Sequence, residues 1–179
     1  MMERTAQEAE RRVCVAVGRH TEYKGFTYLV QASKLLGNNF RIYITGKGEL
    51  TEKLHEEAKG DNKITFTGRI DDTELKALLL ACDIFCFPSI TKNEAFGLAL
   101  AEGMYYAKPA VTFTIPGSGV NYVSLNGVTG IEVENRNVRE YADAIIRLSK
   151  NSNERQEYGK NARERVLDNF LSTQFSKKI

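Results

Sequence analysis

Six short apolar runs, each broken by glycine, proline or a polar turn, constrain the fold of this 179-residue chain more than any other feature. They occupy residues 13–17, 40–45, 64–67, 84–87, 110–114 and 130–133. The first, Val13-Cys14-Val15-Ala16-Val17, is continuously apolar, the pattern of a strand covered on both faces. The intervening segments carry helical periodicity. Residues 26–36 repeat apolar side chains at Leu29, Val30, Ala32, Leu35 and Leu36, and Gly37 is expected to cap that helix. Further helices are expected at 49–58, from the Asp71-Asp72-Thr73 cap to Ala81 with Leu75, Leu78 and Leu79 inward, and at 97–107, 138–149 and 153–168. Strands alternating with helices in this way predict one α/β domain, a doubly wound parallel sheet of about six strands with helices on both faces.

Composition narrows the function classes. Twenty-five basic and 23 acidic residues leave a net charge of +2, so no global field recruits nucleic acid, and any work done by cations is local. Cys14, Cys82 and Cys86 all sit in apolar runs and read as buried small hydrophobes, without a disulfide framework; His20 and His55 form no zinc motif with them. The first dozen residues lack the apolar segment of a signal peptide, and no apolar stretch reaches the roughly 18 residues of a membrane span. A cytoplasmic location is expected.

In doubly wound sheets, ligands bind beyond the carboxyl ends of the strands. The unusual loops fall there: residues 18–25, 46–48, 68–70, 88–97 and 115–119. The first loop, Gly18-Arg19-His20-Thr21-Glu22-Tyr23-Lys24-Gly25, opens a helix and carries two cations. A helix amino terminus favours an anion; Arg19 can fork onto two phosphate oxygens, and Lys24 acts as a point charge. The loop has neither the Walker spacing nor the Gly-x-Gly-x-x-Gly fingerprint, which counts against an ATPase or a dehydrogenase.

Glu94 and Glu102 are the second candidate constellation. Glu102 is a single acid in an otherwise uncharged run from Ala95 to Ala107, and a buried carboxylate needs partners. Two readings stand at this point: Glu102 accepts from a diol such as ribose hydroxyls, or it caps backbone donors of a neighbouring loop. Gly97 lets a ligand approach the backbone at a helix entrance, with Glu94 placed to accept from hydroxyl groups. A glycosidase pair needs two carboxyls roughly 5–9.5 Å apart flanking the scissile bond, and Glu102 among apolar neighbours is poorly placed for that.

Taken together and in order, Gly18-Arg19-x4-Lys24-Gly25, Gly46-x-Gly48-x-Leu50, Phe66-x-Gly68, Ala81-x-Asp83 through Phe87-Pro88-Ser89, Glu94-x-Phe96-Gly97-x4-Glu102 and Asn126-Gly127-x2-Gly130 resemble the carboxy-terminal, donor-binding domain of retaining glycosyltransferases of family 4, one half of the two-domain GT-B architecture. Each motif is weak alone; the ordered set is specific and spans residues 12–170. The resemblance implies a Rossmann-like domain over residues 13–169 that binds a UDP- or GDP-sugar without a metal or other cofactor. It places Arg19 and Lys24 on the diphosphate, Glu94 on the donor sugar and Glu102 on the ribose. Arg19, Lys24 and Glu94 become the catalytic candidates. Gly18, Gly46, Ala95, Phe96, Gly97 and Leu98 line the donor, with Gly68, Arg69 and Ile70 near the base.

The resemblance further implies a role in bacterial surface polysaccharide or lipopolysaccharide synthesis. Its expected partner is an amino-terminal acceptor domain that is missing here. Residues 1–12 are then a polar arm and 170–179 the start of a helix crossing back to that domain, and the isolated donor half is expected to transfer little or nothing. Whether the chain is an excised domain or a gene fragment stays open, as does membrane contact through the missing half. Two departures stand out: His20 where an apolar or small residue is usual, and Asn121 where an acid is common. A nucleotide-sugar epimerase of the same architecture and a non-catalytic nucleotide-binding module are the alternative readings.

Overall fold

A computed structural model describes residues 11–94 and 96–170, and within them the apolar runs form one six-stranded sheet. The strands are β1 (Arg12–Ala16), β2 (Phe40–Thr45), β3 (Ile64–Gly68), β4 (Ile84–Phe87), β5 (Ala110–Phe113) and β6 (Gly130–Val133). Their order is β3-β2-β1-β4-β5-β6, and every neighbouring pair is parallel. The order reverses between β1 and β4, which places a topological switch point, and hence a ligand crevice, beyond the ends of these two strands.

Helices cover both faces because the period-2 alternation of the strands splits the core in two. Cys14, Ala16, Ile42, Ile44, Ile84, Cys86, Val111 and Phe113 point to one face. There they meet α1 (Phe26–Ser33), α2 (Thr51–Glu57) and α6 (Val138–Lys150). Val15, Phe85, Phe87 and Ala110 point to the other. They meet α3 (Asp72–Ala81), α4 (Leu98–Tyr105), α5 (Val120–Val123) and α7 (Ser152–Asn169). Fully burying residues such as Leu29, Ile42 and Leu100 contributes about 1.5–3 kcal/mol each. Asp71 caps α3 by accepting from the Glu74 N–H, and Asn137 caps α6 by accepting from the Glu140 N–H, as their side-chain chemistry predicts. Cys14, Cys82 and Cys86 are buried and unbridged, and burial pushes the Cys82 thiol pKa well up.

Several boundaries differ from expectation. The helix expected at 26–36 ends at Ser33, so Gly37 is not its cap. The N–H groups of Lys34, Leu35 and Leu36 bond to carbonyls three residues back, tightening the last turn and rotating Leu35 out to 40% exposure. The helix expected at 49–58 is confined to Thr51–Glu57. The one expected at 97–107 runs from Leu98 to Tyr105 and stops before Ala107, which has a positive φ of 61°. A single 3-10 turn at Glu22–Lys24 and the short α5 were not foreseen. The polar arm at 1–12 and the crossover helix at 170–179 lie outside the described residues except for Arg11, Arg12 and Phe170, and Arg12 already belongs to β1. Among the described residues no helix is long and apolar enough to cross a membrane.

Candidate functional site

The carboxyl-end loops interlock through backbone contacts that only glycine permits. Gly25 has a φ of 69°, and a Cβ there would lie 1.8 Å from the Pro88 carbonyl oxygen, so the first loop rests directly on the fourth. The Ile90 N–H donates to the Tyr23 carbonyl at 2.9 Å across the same seam. Gly46 has a φ of 92°, with its missing Cβ 2.1 Å from the Gly18 oxygen, and its N–H donates to the Gly68 carbonyl at 2.8 Å. The second loop is thereby wedged between the first and the third. Ser118 on the fifth loop donates to the Glu94 carbonyl, and Asn135 donates to the carbonyls of Ile90 and Thr114, both at 2.9 Å. Six separate loops, counting the one after β6 that carries Asn135, make one rim.

Lys24 and Glu94 meet in the middle of that rim. The Lys24 Nζ lies 2.5 Å from the Glu94 Oε2, with side chains only 14% and 9% exposed. Ser89 donates to the same carboxylate oxygen at 3.2 Å. The lysine stem crosses Gly18, and its ammonium stands 5.4 Å from the Tyr23 ring and 5.5 Å from the Phe87 ring. An ammonium has three donors, so the bond to Glu94 leaves two for an anion arriving over the rim. Arg19, one residue beyond Gly18, is exposed on the same edge.

Two of the helices that open onto this rim, α1 and α4, have amino termini without side-chain caps. α1 begins after Gly25 and α4 after Gly97, both with left-handed glycine N-caps, so their first N–H groups remain as donors for an anion. Glu102 is buried within α4, at 8% exposure. Its charge is felt at Tyr106, whose phenol pKa is raised first by burial, then by Tyr105 and Glu102. Phe96 and Leu98 are 40% and 37% exposed at the mouth of α4, and the Phe96 ring packs edge-on against Phe170 at 5.4 Å. Arg69 is exposed and Ile70 half-buried beyond Gly68. Ala95 lies outside the described residues. The structure thus joins Gly18, Lys24, Gly46, Gly68 and Glu94 through direct contacts, with Arg19 on the same edge, and sets Glu102 in the adjoining helix.

Both departures from the family pattern have structural explanations. Asn121 accepts from the Ile115 N–H at 2.8 Å and donates to the Phe113 carbonyl at 3.0 Å, fastening the fifth loop to the end of β5. His20 is 1% exposed beneath the first loop. Its Nε2 is 3.0 Å from the Thr45 carbonyl, which only accepts, so Nε2 carries the proton and Nδ1 accepts from the Thr51 hydroxyl at 2.8 Å. Ser118 and Asn135, which stitch the rim, carried no sequence signal beyond their place in loops, and Ser89 only its place in the Phe87-Pro88-Ser89 motif.

His20 also yields a pH prediction. Burial, seconded by the nearby His55, lowers its pKa below the usual 6.5, against the opposing pull of the Thr45 carbonyl. The unfolded chain then binds the extra proton more readily, so this contribution to stability is present above pH 6.5 and lost as pH falls through the folded pKa. Urea midpoints are expected to drop between pH 7.5 and 5.5, above the range of ordinary carboxylates, and to drop less in His20→Gln. An equal drop in the variant would remove His20 as the cause.

A cavity of about 560 Å3 opens elsewhere, at the amino ends of β1 and β2, lined by Arg12, Phe40, Ile146 and Ser149 among others. Arg12 is already committed there to the Ser149 carbonyl at 3.1 Å, and the cavity lies at the opposite end of the strands from the rim.

Comparison with known proteins agrees with the fold. The profile of the family described as "Glycosyl transferases group 1" matches residues 1–165. A D-rhamnosyltransferase, WbpZ, of Pseudomonas aeruginosa is 33% identical over 163 residues, covering 90% of this chain and 42% of that protein. The O-antigen chain mannosyltransferase C of Escherichia coli is 30% identical over 158 residues, covering 87% and 42% respectively. Among solved structures, Anabaena Alr3699/HepE in complex with UDP and glucose superimposes with a TM-score of 0.83 at 20% identity, over 95% of this chain and 47% of that one. The chain spans less than half the length of these relatives.

Proposed function

We propose, for a chain that belongs to the group 1 glycosyl transferases, that it is the donor half of a retaining enzyme of family 4 and binds a UDP- or GDP-sugar in the rim between β1 and β4. The observation that carries this reading is Lys24, held by Glu94 at the switch point beside two uncapped helix amino termini. Positive charge and free N–H groups converge there, with a carboxylate alongside. That is the complement of a diphosphate joined to a polyhydroxylated ring.

On this reading Lys24 and Arg19 meet the diphosphate and stabilise the charge that develops on it as the sugar leaves. Glu94 holds Lys24 and faces the sugar hydroxyls. Glu102 accepts from the ribose diol, Gly97 and its neighbours offer backbone N–H groups, and the loop at Gly68, Arg69 and Ile70 borders the base. The cations meet the phosphate charge, so the reading asks for no metal. The acceptor side belongs to the remainder of a longer protein. The names of the rhamnosyl and O-antigen mannosyl relatives support a product among bacterial surface polysaccharides.

Calorimetry of this chain against UDP, GDP, uridine, guanosine and the corresponding nucleotide-sugars tests the reading. One diphosphate is expected to bind at least about tenfold tighter than its nucleoside, and Glu102→Ala to weaken both by about tenfold, as loss of hydrogen bonds to a charged acceptor implies. Equal affinity for diphosphate and nucleoside would move the phosphate away from Lys24. No binding at millimolar concentration would overturn the crevice assignment.

A further inference from the structure

We propose that His20 is a positioning residue, which fixes the direction in which Arg19 projects toward the diphosphate; the inference rests on the donor-binding reading. Arg19 is exposed on a long, rotatable stem, whereas the next residue is the most thoroughly fastened point of the first loop. The His20 N–H donates to the Lys47 carbonyl at 3.1 Å, and its own carbonyl accepts from the Leu50 N–H at 3.0 Å. Both peptide groups of this residue are thus tied to the second loop.

The side chain adds a second set of ties. Its Nε2–H donates to Thr45 at the end of β2, and its Nδ1 accepts from Thr51 at the start of α2. The Thr51 oxygen in turn accepts from the Gly48 N–H at 2.9 Å, so the chain of bonds runs Gly48 to Thr51 to His20 to Thr45. Every donor and acceptor in it has a single consistent role. Phe26 and Phe66 close on the imidazole edge-on at 5.5 and 6.4 Å. Gly48 approaches so closely that a Cβ there would fall 2.5 Å from the His20 carbonyl oxygen.

The position is built around an imidazole, although an apolar side chain could fill the same volume. What the imidazole adds is direction. A leucine would pack and keep the backbone bonds to Lys47 and Leu50, but it would drop the two side-chain bonds to Thr45 and Thr51 and so loosen the hold on the Arg19 Cα. Fixing that Cα leaves only the arginine's own rotamers to be ordered when a diphosphate arrives. A residue that works only through Arg19 must lose its influence when Arg19 is gone.

The experiment is a double-mutant cycle on this chain, with calorimetric affinities for UDP, GDP, uridine and guanosine. His20→Leu is expected to weaken the better-bound diphosphate by about tenfold, leave the nucleoside unchanged, and have no further effect in an Arg19→Ala background. His20→Gln, which can both donate and accept, is expected to restore part of the loss. Thr51→Val should reproduce the loss in milder form and Thr51→Ser should not, which decides the matter should His20→Leu melt below the assay temperature. Equal losses for diphosphate and nucleoside, or a loss undiminished without Arg19, would overturn the positioning role. Failure of the unmodified chain to bind UDP or GDP would overturn the donor reading itself, and this inference with it.

Discussion

Replacing Lys24 by methionine is expected to cost the folded chain about 3 kcal/mol, and replacing Glu94 by glutamine in the same molecule is expected to return most of it. The physical reason is the near-dry environment of the pair. With side chains 14% and 9% exposed, neither group regains full hydration when its partner is removed. Methionine keeps the volume of the lysine stem against Gly18, Tyr23 and Phe87 while removing only the charge. Glu94 then retains the Ser89 hydroxyl at 3.2 Å but has lost its counter-charge, and an uncompensated carboxylate in such a place is costly. In the double variant the glutamine amide is neutral and can still bond Ser89. The measurement is urea unfolding of the wild type, both single variants and the double, read as a cycle. Additive single effects would mean that the two groups stand together without depending on one another. The same Lys24→Met variant should lose the preference for diphosphate over nucleoside, because both donors left free by Glu94 disappear with the ammonium.

This pair shows what the sequence could and could not say. The strands were legible because each is a short, largely apolar run with its own punctuation, and the helices through their apolar periodicity, with the Asp71 cap as local chemistry. The rim was legible for a topological reason: the loops at 18–25, 46–48, 68–70, 88–97 and 115–119 each follow a strand, and strand order 3-2-1-4-5-6 gathers those ends at one edge. Lys24 and Glu94 were each singled out, but for separate parts of a ligand. Nothing in a pattern of residues 70 positions apart reports that one will bond the other. Leu35 failed for a different cause, since helical periodicity continued while the backbone had already tightened into a three-residue turn. His20 was visible as a departure from the family pattern, but its role depended on Thr45 and Thr51, which carry no signal in sequence. Asn121 likewise proved to serve the backbone of its own loop.

Substituting Gly25 by alanine is expected to be the most damaging single-methyl change at the rim, at a cost on the order of 4 kcal/mol and with loss of nucleotide binding. Two effects coincide there and can be separated. The first is conformational: a φ of 69° is left-handed, which costs an L-residue about 1–2 kcal/mol. The second is collision, because the new Cβ would sit 1.8 Å from the Pro88 oxygen and 2.9 Å from its carbonyl carbon. Backbone cannot yield as a side chain does, so the first and fourth loops must part. Parting them breaks the Tyr23–Ile90 bond and draws Lys24 away from Glu94, dismantling the proposed anion site without touching a charged residue. Gly60 supplies the comparison, with a φ of 84° and no atom within 4 Å of its added Cβ. Gly60→Ala should therefore show the conformational cost alone and leave nucleotide affinity unchanged. Should Gly25→Ala prove no worse than Gly60→Ala in urea unfolding and calorimetry, the contact between the two loops would not be what assembles the site. If the difference is as large as the geometry implies, the rim is held together chiefly by how closely its backbones approach, and its charged residues act on a frame they do not build.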